Sequence, residues 1–397
     1  MKFEEVVGQD DIKSKLVAQI NSGKISHAVL FAGNEGTGGL PIALALSQFL
    51  VCEKRNNTAA SDGGLFGAPA PEEQIVLNDS CGICPACLKA QKLIHPDIHF
   101  TFPAIKKDTN SAGISSEYIT EWRQAVAHFP YMNQNEWMQS INAENKQGNI
   151  NVGECKEIIR QISLKSFESA YKIQIVWMAE TLKETGNVLL KLIEEPPVNT
   201  IFIFVVEQID LMLTTVLSRT QIIKLPPVSV NAIENYLQSE KNIVAKDANK
   251  IARVADGNVR MALQLTELQT NEFQGILQQW FSTSARLLGS AKAEASVTLG
   301  QITEVFQKMG RENQKGFLLY AGWILREILM ISQNLGSEKL QDAELDFAKK
   351  VATKINVEKA KEINMLLNQA SYHIERNSNP KITFFSLSFK LCHIFNA

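Results

Sequence analysis

The chain has 397 residues, enough for two or three domains, and its 45% hydrophobic and 21% charged content excludes a mostly disordered or fibrous protein. Forty Lys and Arg against 42 Asp and Glu leave a net charge of −2, so no global basic field exists to hold nucleic acid and a histone-like binder is excluded. No stretch approaches about 18 uninterrupted apolar residues, and Met1-Lys2-Phe3-Glu4-Glu5 is acidic rather than basic then greasy; the expectation is a cytoplasmic protein with neither membrane span nor signal peptide.

In chain order, the first β-rich run is His27 to Ala32, followed much later by Lys172 to Trp177, Thr200 to Val206 and Gln221 to Leu225. Short, nearly continuous Val, Ile and Phe runs are the pattern of strands buried on both faces, which means a parallel sheet covered by helices. Two stretches of other character separate these strands. Residues 56 to 80 are rich in Asn, Ala, Gly, Pro and Ser and read as a loop; residues 101 to 150 are polar with scattered aromatics and predict a helix near Ile119 to Phe129. Both read as insertions. Pro226-Pro227 closes the strand pattern, and everything from Val230 onward has helical spacing. A compact helical piece spans Asn231 to about Gln269 and closes near Asp256-Gly257; further helices are expected over Gly316 to Asn334, Val357 to Arg376 and Lys381 to Phe395. The fold class is α/β plus all-α, in three domains: 1–226, 227–271 and 272–397.

The strand ending at Ala32 runs into Gly33-Asn34-Glu35-Gly36-Thr37-Gly38-Gly39-Leu40 and a helix beginning near Pro41. A working phosphate loop reads G-x-x-x-x-G-K-[ST], with backbone N–H groups around the phosphates, a lysine on the β and γ phosphates and a hydroxyl on Mg²⁺. Gly33 and Gly38 are in place, with Gly36 between them, but Gly39 stands where the lysine belongs and Leu40 where the hydroxyl belongs. A Gly-rich strand-to-helix turn can also arise by chance, so the loop alone does not decide. The strand at 172–177 ends in Met178-Ala179-Glu180, without the Asp or acidic pair that holds Mg²⁺ in ATPases, and Glu180 reads as a solvated glutamate at a helix start. Two catalytic elements are missing from one inferred pocket, so ATP binding is not expected.

Cys81-x-x-Cys84-x-x-Cys87 gathers three thiols in one short loop, and Cys52 lies at the end of the helix after the phosphate loop. Four soft thiolates satisfy a closed tetrahedral Zn²⁺ site; free cytosolic thiols are the alternative, while Cys155 and Cys392, among apolar neighbours, read as core. His95 and His99 are either spare ligands or structural histidines. Lys106, Lys107, Lys156, Arg160 and Lys165 could face a DNA backbone but, dispersed among acids, read as solvated.

The order of segments carries a resemblance. Val7-Gly8-Gln9, Ser26-His27-Ala28 with the degenerate loop, Leu189-Leu190-Lys191-Leu192-Ile193-Glu194-Glu195-Pro196-Pro197, Leu217-Ser218-Arg219-Thr220 and Gly257-Asn258-Val259-Arg260-Met261-Ala262-Leu263 follow one another as in the AAA+ clamp-loader family of bacterial replicases. The match covers about residues 1 to 270 by motif, and the rest by length and helical character. The resemblance implies an AAA+ sheet domain bearing a zinc module, a helical lid and a C-terminal helical collar through which subunits assemble. It implies that Arg219, with Ser218 beside it, reaches in trans into a neighbour's ATP site as an arginine finger, Thr220 replacing the family's cysteine. Arg260 matches the position in the lid that senses nucleotide, where a structural contact is an equal alternative. It raises the case for zinc on Cys52, Cys81, Cys84 and Cys87. The implied partners are tau/gamma-type ATPase subunits, a delta-type subunit, the sliding clamp and primed DNA through the assembled complex. The function expected is that of a non-hydrolysing loader subunit; the rivals are an active ATPase with an atypical loop and a zinc-bearing DNA adaptor.

Overall fold

The computed structural model describes residues 1–56, 77–108, 111–143, 146–267, 270–288, 292–335, 340, 342–376 and 378–396. Most of the loop expected over residues 56 to 80 lies outside the described residues. Two compact units are present: Met1–Tyr236 with Asp256–Arg260, and Leu237–Ala255 with Met261–Ala397. The stretch 227–271 is thus shared between the units.

The first unit is built on a five-stranded parallel sheet. Its strands are β1 (Ala28–Ala32), β2 (Ile98–Thr101), β3 (Lys172–Trp177), β4 (Thr200–Val206) and β5 (Gln221–Lys224), in the spatial order β2-β3-β4-β1-β5. β1 pairs with β4 in the register Ala28 to Phe202 through Ala32 to Val206, and with β5 on its other side. Along each strand successive side chains enter opposite layers. Val29, Phe31, Ile201, Ile203 and Val205 join one apolar cluster, while Ala28, Leu30, Ala32, Phe202 and Phe204 join another. Both layers are closed, which is why these strands carry no polar alternation.

β2 went unexpected. Its Ile-His-Phe-Thr run is only four residues long, sits at the sheet edge against β3 and follows His95-Pro96-Asp97, so it lacks the apolar continuity of the central strands. Helix α1 (Asp10–Asn21) precedes β1, and helix α2 (Gly39–Val51) follows it, with every residue from Leu40 to Val51 buried. A helix apolar on all sides is one packed on all sides. The residues from 101 to 150 form their own aromatic core: the helix Ile119–His128 contributes Trp122, the helix Gln134–Ser140 contributes Trp137, and Phe102 stacks on Trp122 at 4.2 Å. Trp137 and Trp177 meet Trp122 at 5.2 and 5.1 Å, fastening the stretch to β3.

The second unit is helical throughout its described residues. The expected Gly316 to Asn334 helix runs Arg311–Ser332; the helices Val357–Glu375 and Pro380–Asn396 lie where the spacing put them. Trp280 is its packing centre, touching Phe306, Phe317 and Phe384, with its indole N–H donating to Ser388 Oγ at 2.8 Å. No described helix is long and apolar enough to cross a membrane.

Trp122→Ala removes the centre of the aromatic core in the first unit, and a fully buried aromatic truncated to Ala typically costs about 3–5 kcal/mol. The expected result is a clearly lower urea midpoint for the transition that reports Trp177; an unchanged midpoint would mean the stack does not hold this stretch to the sheet.

Candidate phosphate-loop, arginine and metal sites

The loop from Gly33 to Gly38 leaves the carboxyl end of β1 beside the end of β4, where open parallel sheets bind ligands. Gly33 N–H donates to Val206 O at 3.2 Å, and Gly36 and Gly38 have φ of +75° and +95°, a region glycine enters without a Cβ clash. α2 begins at Gly39, two residues ahead of Pro41. A Cβ on Gly39 would lie 2.8 Å from Val205 Cγ1, so the position of the missing lysine is packed against β4. Above the loop, Tyr131, Met132, Trp177 and Glu207 leave a cavity of only about 20 Å³. A space of that size holds about one water. Tyr131 is itself buried, its hydroxyl accepting from Val7 N–H at 2.9 Å, and burial pushes its pKa upward.

Arg260 closes the far side of the loop. Its side chain is 1% exposed and meets three carboxylate oxygens: Nη1 donates to Glu35 Oε1 at 2.5 Å, Nε to Glu136 Oε2 at 2.8 Å and Nη2 to Glu136 Oε1 at 2.9 Å. Asn133 caps the helix Gln134–Ser140, exchanging hydrogen bonds with Glu136, and its amide donates to Glu35 Oε2 at 3.2 Å. Val259 N–H donates to Gly36 O at 3.0 Å. Of the two readings open for Arg260, the geometry has the form of the structural contact. Gln9, from the Val7-Gly8-Gln9 string, donates through Nε2 to Thr37 O at 3.1 Å and Pro226 O at 2.7 Å.

Glu180 is not the solvated glutamate expected. Its Oε1 accepts from the backbone N–H of Glu207 and Gln208 at 3.0 and 3.2 Å, tying the ends of β3 and β4, and burial raises its pKa. The Glu207 carboxyl is pushed up to about 8, by burial first and then by the nearby charges of Glu35 and Glu180, against the opposing pull of Arg260.

Arg219 follows the short helix Thr214–Leu217 at the surface, with 35% of its side chain exposed. It is engaged by its own chain: Nε pairs with Glu194, and Nη1 donates to Thr215 O at 2.9 Å and to Ser218 Oγ at 3.0 Å. Nη2 has no partner among the described residues. Glu194 ends the helix Leu190–Glu194, so the Leu-Leu-Lys and Ser-Arg strings, distant in sequence, meet in this contact.

Cys52 caps the C-terminus of α2, and Cys84 caps the helix Pro85–Gln91, its sulfur accepting from Cys87 N–H at 3.4 Å. The Sγ atoms of Cys52, Cys81, Cys84 and Cys87 all lie within 4.8 Å of one another, with Cys81 and Cys87 at 3.9 Å. Tetrahedral zinc with Zn–S near 2.3 Å places its sulfurs about 3.8 Å apart. Backbone N–H groups of Cys81 and Cys84 also point at the sulfurs of Cys52 and Cys81, both at 3.4 Å, and such donors stabilise thiolates. The Cys52 thiol is lowered to about 4, chiefly by a hydrogen bond from Cys87, whose own pKa is raised. The donor set fits zinc. His95 and His99 stand outside the group; His95 is buried, with Nδ1 accepting from Asp97 N–H at 3.1 Å. Cys155 and Cys392 are buried. Arg160 pairs with Glu157, and Lys107 with Glu121.

A family model described as DNA polymerase III, delta subunit, matches residues 8–64 and 68–229, more than half of the chain. The chain belongs to the DNA polymerase III clamp-loader family and is delta-prime-like. The delta-prime subunit of Bacillus subtilis is 25% identical over 259 residues, covering 65% of this chain and 59% of that subunit. The gamma/tau subunit of Mycobacterium bovis is 24% identical over 271 residues, covering 67% of this chain but 36% of that protein, so the chain spans about a third of the gamma/tau relatives it matches. A DNA polymerase III gamma subunit-related protein of Thermotoga maritima aligns over 96% of this chain and 99% of its own, at 12% identity and a TM-score of 0.41.

In this clamp-loader chain, sequence inspection passed over Glu35, Tyr131, Asn133 and Glu136. The first had a signal: the amides and helix dipole of such a loop favour an anion, and a carboxylate placed in it can take the role that a phosphate would have. The others lie about a hundred residues away; Asn133 and Glu136 have the spacing of a helix cap, which marks a helix start but not a contact with the loop.

The raised Glu207 gives a pH dependence with a definite sign. A carboxyl raised from 4.5 to about 8 on folding contributes stability that is complete below pH 4.5 and is lost as pH climbs toward 8. Glu207→Gln abolishes this loss, so urea unfolding should show the variant matching the native chain near pH 4.5 and exceeding it by roughly 1–3 kcal/mol at pH 8. Parallel curves across that interval would refute the buried-carboxyl account.

Proposed function

We propose that this chain is a non-hydrolysing AAA+ subunit of the replicative clamp loader. In this role it completes the ATP site of a neighbouring gamma/tau-type subunit with Arg219 and, alongside a delta-type subunit, helps open the sliding clamp and set it on primed DNA in the cytoplasm. In this reading residues 1–226 are the AAA+ sheet domain, residues 227–271 the lid and residues 272–397 the collar. The observation that carries this reading is the filled phosphate loop. Gly39 and Leu40 offer neither cation nor hydroxyl, the space above them is about 20 Å³, and Glu207 lines it with a carboxyl where a phosphate would need a cation. Arg219 supports the second half of the reading because it lies at the surface with Nη2 unpartnered among the described residues. A neighbour's γ-phosphate would meet that nitrogen first and would compete with Glu194 for Nε.

An ATP titration of the full chain should give no micromolar binding with Mg²⁺; such binding, with turnover, would establish an active ATPase instead. In a reconstituted loader, Arg219→Ala should abolish the finger's contribution at the one site it faces, about 10³-fold there. DNA-stimulated ATPase should therefore fall by that site's share. Unchanged turnover would favour the adaptor.

Zinc on Cys52, Cys81, Cys84 and Cys87 would be structural, cross-linking the end of α2 to the 81–87 loop with no open coordination position. Elemental analysis should return one zinc per chain, and Cys84→Ser with Cys87→Ser should lose it and lower the thermal midpoint. A metal-free native chain of unaltered stability would remove zinc from the assignment.

A further inference from the structure

Three segments far apart in sequence meet at one buried cation. Residues 34–36 of the phosphate loop bring Glu35, residues 133–136 bring Asn133 and Glu136, and residues 258–260 bring Arg260. In a nucleotide-binding relative of this geometry, an arginine approaching the loop from this side would need a bound phosphate as its counter-charge. A guanidinium shut away from water requires an anion wherever it comes from. Here the chain provides two carboxylates of its own, one of them inside the loop meant for the phosphate.

We infer that Glu35 and Glu136 form a built-in counter-anion that fastens residues 256–260 onto the phosphate loop in the absence of any nucleotide. This rests on the reading of the loop as empty and extends it: the loop has an internal occupant for the arginine that nucleotide would otherwise engage. Several features converge on it. Glu136 grips Arg260 through both oxygens, and its own backbone and side chain are fixed by the reciprocal cap with Asn133. Asn133 spans to Glu35, so the two carboxylates are held together despite their like charge. The Val259 N–H to Gly36 O hydrogen bond runs parallel to the ion pairs. Gly36 is required at the contact, because a Cβ there would lie 1.9 Å from Asn258 Oδ1. The 101–150 insertion thereby acquires a task, since it delivers Asn133 and Glu136 to the loop and Tyr131 to the space above it.

The test is hydrogen exchange of the full chain, without ATP, for the native protein and for Glu35→Gln, Arg260→Gln and the double variant. Glu35→Gln keeps the side-chain shape and removes only the charge. Exchange in peptides covering 34–38 and 256–262 should rise about tenfold or more in each single variant, and the double variant should not exceed Arg260→Gln, which already removes the Glu35 pair along with both Glu136 contacts. Peptides of β4 should exchange as in the native chain, which identifies variants that retain the fold; should Arg260→Gln unfold, Glu136→Gln replaces it in the cycle. Native-like exchange at 256–262 in Glu35→Gln, or additive effects in the double variant, would overturn the inference. Leaving ATP out keeps this failure distinct from failure of the empty-loop reading, which shows only in the ATP titration.

Discussion

A guanidinium removed from water must be neutralised where it stands, and much of the first unit is arranged around that requirement at Arg260. The side chain keeps 1% exposure, and each of its three nitrogens meets a carboxylate oxygen. Removing one partner of a buried pair costs about 3–5 kcal/mol because the other is left uncompensated. The loop, the capped helix at 134–140 and the 258–260 segment are therefore bound as a set. The Asn133 cap sets Glu136, Glu136 sets Arg260, and Arg260 keeps Glu35 turned toward it.

This arrangement and the absent lysine are two aspects of one packing. Gly39 has lost more than a side chain, because β4 has closed over the place where one would start, with Val205 Cγ1 only 2.8 Å from the site of a Cβ. Restoring a lysine there would require the Val205 side chain to shift, and Val205 is buried on a strand paired on both sides, to β1 and to β3. Protein interiors of this density resist such local shifts. Glu207, protonated into the neutral range, adds a further group that tolerates the crowd of carboxylates only by giving up its charge.

The legible parts of the sequence were those governed by local rules. β1, β3 and β4 could be read directly because both faces of each are buried, and the helices at 119–128, 357–375 and 380–396 because their apolar spacing is regular. β2 escaped because an edge strand needs less apolar surface. The cysteine spacing announced a cluster, and the four sulfurs converge, Cys52 included, across the stretch that separates it from Cys81. Glu180 was misjudged because its partners are backbone amides of the next strand, which no side-chain pattern encodes. Asn133 and Glu136 have the local spacing of a helix cap, but their contacts with Glu35 and Arg260 are decided by what lies about a hundred residues away in sequence.

The chain's two notable arginines differ in the one respect that governs what each can do. Arg260 is sealed, and its carboxylates cannot be exchanged for another anion without first exposing a buried charge. Arg219 sits in water with Glu194, both of them a third or more exposed, and an exposed pair of this kind is worth about 0–1 kcal/mol. Such a pair orients the guanidinium at little cost to its release. Thr215 O and Ser218 Oγ hold Nη1 while Nη2 has no partner among the described residues, so the chain itself orients the planar group. A phosphate in a site closed to water forms shorter and stronger charge-assisted bonds than a solvated carboxylate does. In the proposed role, exchange of Glu194 for an anion on a neighbouring subunit would therefore cost Arg219 little, whereas the corresponding exchange at Arg260 is opposed by burial.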